Sequence, residues 1–570
     1  MSPLSLCSNP SASPASSRPA RCTSFLISMV LVALAIRLIV MVFLLPEQLE
    51  PRRDHWHFGY EAGRIARSIV QGRGFSNPLF EDTGPTAWMT PVYPYLVAGV
   101  FKLFGTYTKT SAVVLLSLNA LMSALTCVLV FLIARVSFGE RVAKWSGWAW
   151  AFCPYAIYFP VERIWETWLA TLLLCALFLM TLNLENEEKH YHRGHRGSHG
   201  KAWIVFGLLW GLLWGVAALT SPALLSVLPF LAGWVIYRRH RRGQRWFGVH
   251  VIAAIAFIAV VSPWFVRNYK VFHRFVPFRD NMGIVLRLGT KGTTAHWAPY
   301  EVGPWHNPQE WNEFKQLGEL AYFDKKKQQA FEFIRAHPGW YAWATIRRAV
   351  YLWTGYWSLD REYLAEEPLD PPNILFCSTL TVLALLGLRR AWRADWSGAL
   401  PYALVLFSFP LIYYITSPEV YYRRPIDPFL VILAVVGVMP NRGQSPAKNL
   451  TQKTEAANSA AHSKLAGARL GGFEFIRTHP RWFAVVTVRR FVYIWTGFWS
   501  FDKRYLAEEP LDPPNVFLYR ADAHDAHRPA PRVAPESFCR GSVRDGAFLY
   551  SGRFTISPTS RCTPVVKSIR

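Results

Sequence analysis

The chain has 570 residues, of which 52% are hydrophobic, 15% aromatic and only 17% charged, and its mean hydropathy is +0.14. A soluble globular chain carries about 25% charged residues, so an ordinary soluble enzyme is excluded, and the aliphatic and aromatic content excludes global disorder. The net charge of +25 points to nucleic acid or to an anionic membrane, and where the charge sits decides between them.

Residues 1–23 read as a cytoplasmic segment. Ten apolar runs then approach the ~20 residues that cross a bilayer. They are Ser24–Leu45, Ser111–Val136, Val142–Phe159, Ile164–Leu182, Ala202–Thr220, Ala223–Tyr237, Phe247–Val266, Asn373–Leu388, Ala399–Ile415 and Pro425–Met439. The first is too long for a signal peptide and no small-residue cleavage site follows it, so it reads as a signal anchor. Arg37 inside it is costly in lipid and is expected to turn into the bundle or toward a polar neighbour.

Two large loops interrupt the runs. In residues 46–110 a helix is expected over Tyr60–Val70, stopped by Gly72–Gly74. After Pro91 and Pro94, Tyr95–Phe104 is short for a span and reads as a helix lying at the interface. The second loop, residues 267–372, carries Trp340, Trp343, Trp353 and Trp357, which suit a headgroup-level belt.

The compact basic segments are Arg18–Arg21, Arg135–Lys144, Lys189–Lys201, Arg238–Arg245 and Arg389–Arg393. Ten spans place all five on one side, which the positive-inside rule makes the cytoplasm. Basic loops against an anionic leaflet account for much of the charge without nucleic acid. The expected fold is all-α: a polytopic helical membrane protein over residues 24–440, with about ten transmembrane helices and two large outer loops carrying interfacial helices.

Residues 331–376 recur at 473–518, offset by 142, with 31 identities in 46 positions. FEFIRAHPGW matches FEFIRTHPRW, and WTGYWSLDREYLAEEPLDPPN matches WTGFWSFDKRYLAEEPLDPPN. This is a partial duplication, preceded by a polar linker (441–472) and followed by a basic tail (519–570) without sustained period, expected to be disordered. The topology puts the second copy in the cytoplasm, opposite the first. It reads as a non-working remnant; a regulatory module competing with the first copy is the alternative.

The candidate chemistry lies on the outer side. Asp54 and Glu61 are seven apart and share a face if helical; Glu162 and Glu166 are four apart at the start of the fourth run; Glu81 and Asp82 lie between these two pairs. Arg267, Lys270, Arg274, Arg279, Arg423 and Arg424 are basic partners on the same side. A lipid-phosphate donor needs Arg or Lys to hold its phosphate and stabilise the leaving group. A carboxylate can take the proton of an attacking hydroxyl.

Each residue also has a plainer role. Asp54 can neutralise Arg52 or Arg53, and Glu61 can pair with Arg64 on a helix face. Glu166 can complement its own helix N-terminus, and Arg423 and Arg424 can anchor an interface. Trp88, Tyr93 and Tyr95 can stack on sugar rings or anchor the interface. His55 and His57 beside Asp54 suggest a metal only weakly, because sequence neighbours rarely face one centre. The eight cysteines form no CxxC or Cys/His cluster. No metal or other cofactor is expected, and no P-loop or strand-borne GxGxxG is present.

The order of motifs carries a resemblance. DHWHFGYEAGRIARSIVQGRGF (Asp54–Phe75) is followed by TGPTAWMTPVYPYLVAGVFKLFG (Thr83–Gly105), ERIWETWLATLLL from Glu162, SPWFVRNYKVFHRFVPFRDNMG (Ser262–Gly283) and YYRRPIDPFLVILA (Tyr421–Ala434). This resembles the membrane glycosyltransferases of the C superfold, in the branch of the dolichyl-phosphate-mannose protein mannosyltransferases and the lipid A aminoarabinose transferase, over roughly residues 24–440. The resemblance implies transfer of a sugar from a polyprenyl-phosphate carrier at the outer face, with the first-loop acid as base toward the acceptor. That acid usually lies a dozen or more residues before a Gly-x-Gly. Asp54 lies 18 before Gly72 and Glu61 lies 11 before it, so spacing favours Asp54, with Glu61 second. Arg267, Lys270, Arg423 and Arg424 resemble regions that hold the carrier phosphate, and Glu166 would orient the sugar or the first-loop helix.

The expected activity is that of an inverting glycosyltransferase using a lipid-phosphate sugar (hexosyl or pentosyl), with a lipid, glycan or protein acceptor. The expected setting is a bacterial inner membrane. A flippase or transporter of lipid-linked sugar without transfer chemistry is the competing class. It would call for inverted repeats and broken midplane helices, which the sequence does not display.

Overall fold

The structure, a computed structural model, describes residues 18–48, 58–79, 81–191, 199–243, 247–291, 303–305, 307–355, 370–416 and 420–439. The chain divides into two units, Met1–Pro440 and Asn441–Arg570, and all described residues belong to the first. Asp54, His55, His57, the linker, the second copy of the repeat and the basic tail lie outside the described residues.

Among the described residues the architecture is helical, with one isolated antiparallel bridge, Ser76 to Pro85, and no strand. In chain order the helices are α1 (Arg18–Gln48), α2 (Glu61–Val70), α3 (Val92–Phe104), α4 (Lys109–Phe138), α5 (Glu140–Ala151), α6 (Pro154–Glu162), α7 (Thr167–Tyr191), α8 (His199–Thr220) and α9 (Leu228–Arg241). There follow α10 (Phe247–Phe272), α11 (Met282–Lys291), α12 (Pro308–Leu317), α13 (Glu319–Ala336), α14 (Pro338–Thr354), α15 (Asp370–Ala394), α16 (Trp396–Ser408), α17 (Leu411–Ile415) and α18 (Asp427–Val438).

Among the described residues six stretches are helical, long and apolar enough to cross a membrane: Thr23–Phe43, Lys109–Phe138, Thr167–Leu184, Phe247–Phe272, Ile374–Ala394 and Trp396–Ile415. Val92–Phe104 and Ile204–Thr220 are shorter apolar helices. The polytopic helical class is therefore as expected, while several expected runs are interrupted. Val142–Phe159 breaks at Phe152 and Cys153 because Pro154 cannot continue the hydrogen-bond ladder of α5. Ala223–Tyr237 opens as a 3-10 turn, Pro222–Ser226, before α9. Pro425–Met439 yields the twelve-residue α18, in which Asp427 to Ala434 are all buried. An apolar run records only that water is avoided; in α18 the surroundings are protein.

Arg37 lies inside the bundle, fully buried. Its Nη1 donates to the carbonyls of Ala33 at 2.8 Å and Ala151 at 3.2 Å, and its Nε donates to Ser123 Oγ at 3.0 Å. Ala151 ends α5, so the break at Pro154 exposes carbonyls that the guanidinium satisfies. A sequence liability thus becomes the pin between α1, α4 and α5.

Small residues let helices close on each other. A Cβ on Gly211 of α8 would lie 2.1 Å from the Ala253 carbonyl oxygen of α10, and one on Gly387 of α15 would lie 1.8 Å from that of Leu433 in α18. A second apolar core joins residues 58–101 to residues 284–323. Within it Trp88 packs edge-on to Trp305 at 5.8 Å and to Phe323 at 5.1 Å. The end of α4 faces the basic side, where Glu140 pairs with Arg135 at 3.2 Å and Lys144 at 3.5 Å. Glu166 precedes α7 and Arg279 follows α10, at the helix ends away from the basic loops.

Candidate functional site

The site is built around a backbone contact. Gly59 and Tyr60 precede α2 with φ of 78° and 53°. A Cβ on Gly59 would stand 2.4 Å from the Ile164 carbonyl oxygen. The entry to α2 is thus pressed against the turn that leads into α7. Glu61 opens α2 and Glu166 ends that turn, so the contact draws two acids, 105 residues apart in sequence, to one place.

Polar groups fix the turn from below. Asn119 Nδ2 donates to the Arg163 carbonyl at 3.0 Å, and the buried Tyr93 hydroxyl reaches Asn119 Oδ1 at 3.5 Å. Glu162 Oε1 takes Arg163 Nε at 3.1 Å. Glu166 Oε1 lies 3.5 Å from Arg279 Nη2. The buried Glu166 Oε2 and Arg279 Nε have no hydrogen-bond partner among the described residues. The pair therefore keeps one acceptor and one donor in reserve at a buried position, where an unmade hydrogen bond is expensive.

Glu61 shares the electrostatic field of Arg64, Arg279 and Glu166. Burial raises its carboxyl above the usual carboxylate range; Arg64 and Arg279 pull it back and Glu166 adds to the rise. One acid paired to Arg279 and a second, less charged acid in the same field are the kind of arrangement from which a proton acceptor can be built.

The remaining predicted residues fall in three places. Tyr413 is within electrostatic reach of Glu166 and Arg279, and it stacks on Tyr422 at 4.9 Å. Tyr422 leads to Arg423 and Arg424, both fully buried. Arg423 Nε and Arg424 Nη1 each bind Asp427 at 2.8 Å. Arg423 Nη1 also donates to the Trp353 carbonyl at 2.9 Å, while Arg424 lies 3.6 Å from the Tyr155 ring centre. Arg424 Nε and Nη2 are buried with no hydrogen-bond partner among the described residues. One Asp against two guanidinium groups leaves a positive interior.

Arg267 serves other groups. Its Nη2 donates to the Phe75 carbonyl and its Nη1 to that of Thr86, both at 2.7 Å. Lys270 is exposed. Trp88 and Tyr93 are buried in the core, whereas Tyr95 is exposed. Sequence reading named Arg279 only as one of several bases and passed over Asp280 and Glu319. Arg279 lies 13 residues beyond the seventh apolar run, and its one signal in the sequence is a basic charge on the same side as the acids. Glu319 binds Thr86, 233 residues away, and no local pattern reports that. Among the described residues no group of three or more His, Cys, Asp or Glu is placed to hold a metal ion.

The helix order, the first-loop acid and the acid before α7 are the features on which the resemblance was drawn. Residues 88–266 match the family model of dolichyl-phosphate-mannose-protein mannosyltransferase. The resemblance to C-superfold membrane glycosyltransferases therefore holds over this segment, which includes Glu166 and most of α10. No curated protein matches the chain.

Among solved structures, the Archaeoglobus fulgidus oligosaccharyltransferase AglB in complex with an inhibitory peptide and a dolichol-phosphate is 14% identical, with a TM-score of 0.42, covering 89% of this chain and 56% of that one. The apo form of the Archaeoglobus fulgidus oligosaccharyltransferase is 15% identical with a TM-score of 0.41, covering 72% and 50%. ArnT from Cupriavidus metallidurans bound to undecaprenyl phosphate is 14% identical with a TM-score of 0.32, covering 73% and 77%. The chain spans about half the length of the archaeal enzymes it matches.

Proposed function

We propose that the protein is a membrane glycosyltransferase that moves a sugar from a polyprenyl-phosphate carrier to an acceptor hydroxyl on the outer side of the membrane. The observation that carries this reading is the closure of the α2 entry onto the turn before α7, which brings Glu61 toward the Glu166–Arg279 pair, at helix ends away from the basic loops. The family match over residues 88–266 supports the reaction class.

In this reading a first-loop carboxylate takes the acceptor proton as the hydroxyl attacks the anomeric carbon, and the carrier leaves as its phosphate. Asp54 holds that role by spacing. Glu61 holds it by surroundings, since a carboxylate with a raised pKa is a better base near neutral pH. Glu166 orients the sugar or α2 through its free Oε2. Arg267, Lys270, Arg423 and Arg424 are the candidate cations for the carrier phosphate. Of these, Arg424 has unpaired buried nitrogens to offer, whereas the Nη atoms of Arg267 already serve carbonyls. The acceptor is a lipid, a glycan or a protein, and the membrane is the bacterial inner membrane.

The test is transfer of radiolabelled sugar from a polyprenyl-phosphate pool in membranes containing the full chain, beside Asp54→Asn and Glu61→Gln. Transfer by the unmutated chain that one of the two substitutions abolishes, with lipid binding retained, identifies the base. A folded, lipid-binding chain that transfers nothing overturns the reading and leaves lipid translocation as the activity to measure.

A further inference from the structure

The turn that follows the Ser76–Pro85 bridge is held from three sides. Arg267 takes the Thr86 carbonyl. Glu319, the first residue of α13, accepts Thr86 Oγ1 at 2.6 Å on one oxygen and the Ala87 amide at 2.7 Å on the other. The Asp280 amide donates to the Ala87 carbonyl at 3.2 Å. These bonds set the Asp280 carboxyl against that of Glu319.

The two acids differ in what surrounds them. Glu319 is buried with donors on both oxygens. Both Asp280 oxygens are buried without a hydrogen-bond partner among the described residues, and its own backbone amide offsets this only in part. Two carboxylates in contact away from water do not both ionise. The donors stabilise the charge on Glu319, so the proton belongs to Asp280, whose O–H then points at Glu319.

We propose that Asp280 and Glu319 share one proton and that this pair positions Arg279, the preceding residue, against Glu166. The positioning half rests on the site reading given above; the proton-sharing half does not. The charged groups facing Asp280 are Arg267 from α10, Arg274 from the segment after it, and Glu319 and Asp324 from α13. The Thr86–Ala87 turn brings a hydroxyl and backbone. Arg267 is held by carbonyls and by Asn268 at 2.9 Å, and Arg274 pairs with Asp324. Neither hydrogen-bonds Asp280.

Burial, then the charge of Glu319, push Asp280 well above the usual carboxylate range. The folded state therefore holds a proton that the unfolded chain releases in the ordinary Asp range. Stability conferred by the pair is full below that range. It declines as pH rises toward the pair's own pKa and is level above it. Deprotonation sets two negative charges together and loosens the segment carrying Arg279.

The experiment uses the full chain in detergent and the variants Asp280→Asn, Asp280→Ala and Glu319→Gln. Thermal unfolding is followed from about pH 5 to about pH 9, with sugar transfer measured beside it. Asp280→Asn keeps a donor toward Glu319, so it removes the alkaline decline of the unmutated chain and recovers most of what Asp280→Ala loses. Asp280→Ala lowers Tm by about 4 °C. Glu319→Gln turns an amide N–H toward the donors of Thr86 or Ala87 and is the worse tolerated of the two isosteric changes. Asp280→Asn unfolding like Asp280→Ala at every pH, or tolerated less well than Glu319→Gln, overturns proton sharing. The expected unfolding pattern in a chain that transfers no sugar sinks the transfer reading and leaves the proton-sharing half standing. The expected pattern with Asp280→Ala transferring at the unmutated rate and pH profile overturns the positioning role.

Discussion

Gly59 meets the Ile164 carbonyl oxygen so closely that a Cβ on Gly59 would lie 2.4 Å from it. This contact joins the start of α2, where Glu61 sits, to the turn bearing Glu166. The left-handed φ of 78° at Gly59 adds a second reason for glycine.

Gly59→Ala should therefore cost both the clash and the backbone strain, about 2–4 kcal/mol, and it should lower transfer more than carrier binding. Gly72→Ala is the control. Gly72 has φ of 76° but open space around its missing Cβ, so it should cost about 1–2 kcal/mol. Thermal unfolding in detergent compares the two, and equal losses would remove the contact as an explanation.

The field at Glu61 gives a pH prediction with a fixed sign. Glu166 raises the Glu61 carboxyl and Arg279 lowers it. If Glu61 is the base, Glu166→Gln moves the acid limb of the residual transfer rate to lower pH, and Arg279→Gln moves it to higher pH. A pH–rate profile on each variant checks this. Shifts in the same direction would exclude Glu61 as the titrating group.

Arg37 satisfies the Ala33 and Ala151 carbonyls and Ser123 at once. Arg37→Met leaves these groups buried without their donor and should destabilise by about 3 kcal/mol. Arg37→Lys should recover only part of this, because one ammonium cannot reproduce a planar fork. Unfolding midpoints of the two variants provide the comparison.

Asp427 is the carboxylate that meets both Arg423 and Arg424. Asp427→Asn leaves two buried guanidinium groups without that counter-charge and should cost about 3–5 kcal/mol. Arg424→Gln should destabilise less than Arg423→Gln, since Arg423 also holds the Leu352 and Trp353 carbonyls while two nitrogens of Arg424 are unpaired. If Arg424 receives the carrier phosphate, Arg424→Gln raises the KM for carrier more than it lowers Tm.

The sequence by itself determined the helical membrane class, and it singled out Glu61 and Glu166 among the acids. These follow from one-dimensional quantities: run length, charge placement and i, i+4 spacing. It did not determine that Val142–Phe159 is broken or that α18 is enclosed, because hydropathy does not distinguish lipid from protein as the apolar surroundings.

Tertiary structure alone decided which charges meet. Arg279 reaches Glu166 across 113 residues, Arg37 reaches the carbonyl of Ala151, and Glu319 takes the Thr86 hydroxyl. In each case a group with unmet hydrogen-bonding capacity, shut away from water, is paired with another left open by a helix end or a turn. Burial strongly favours such pairing, and only the folded chain shows which partner is near enough to answer.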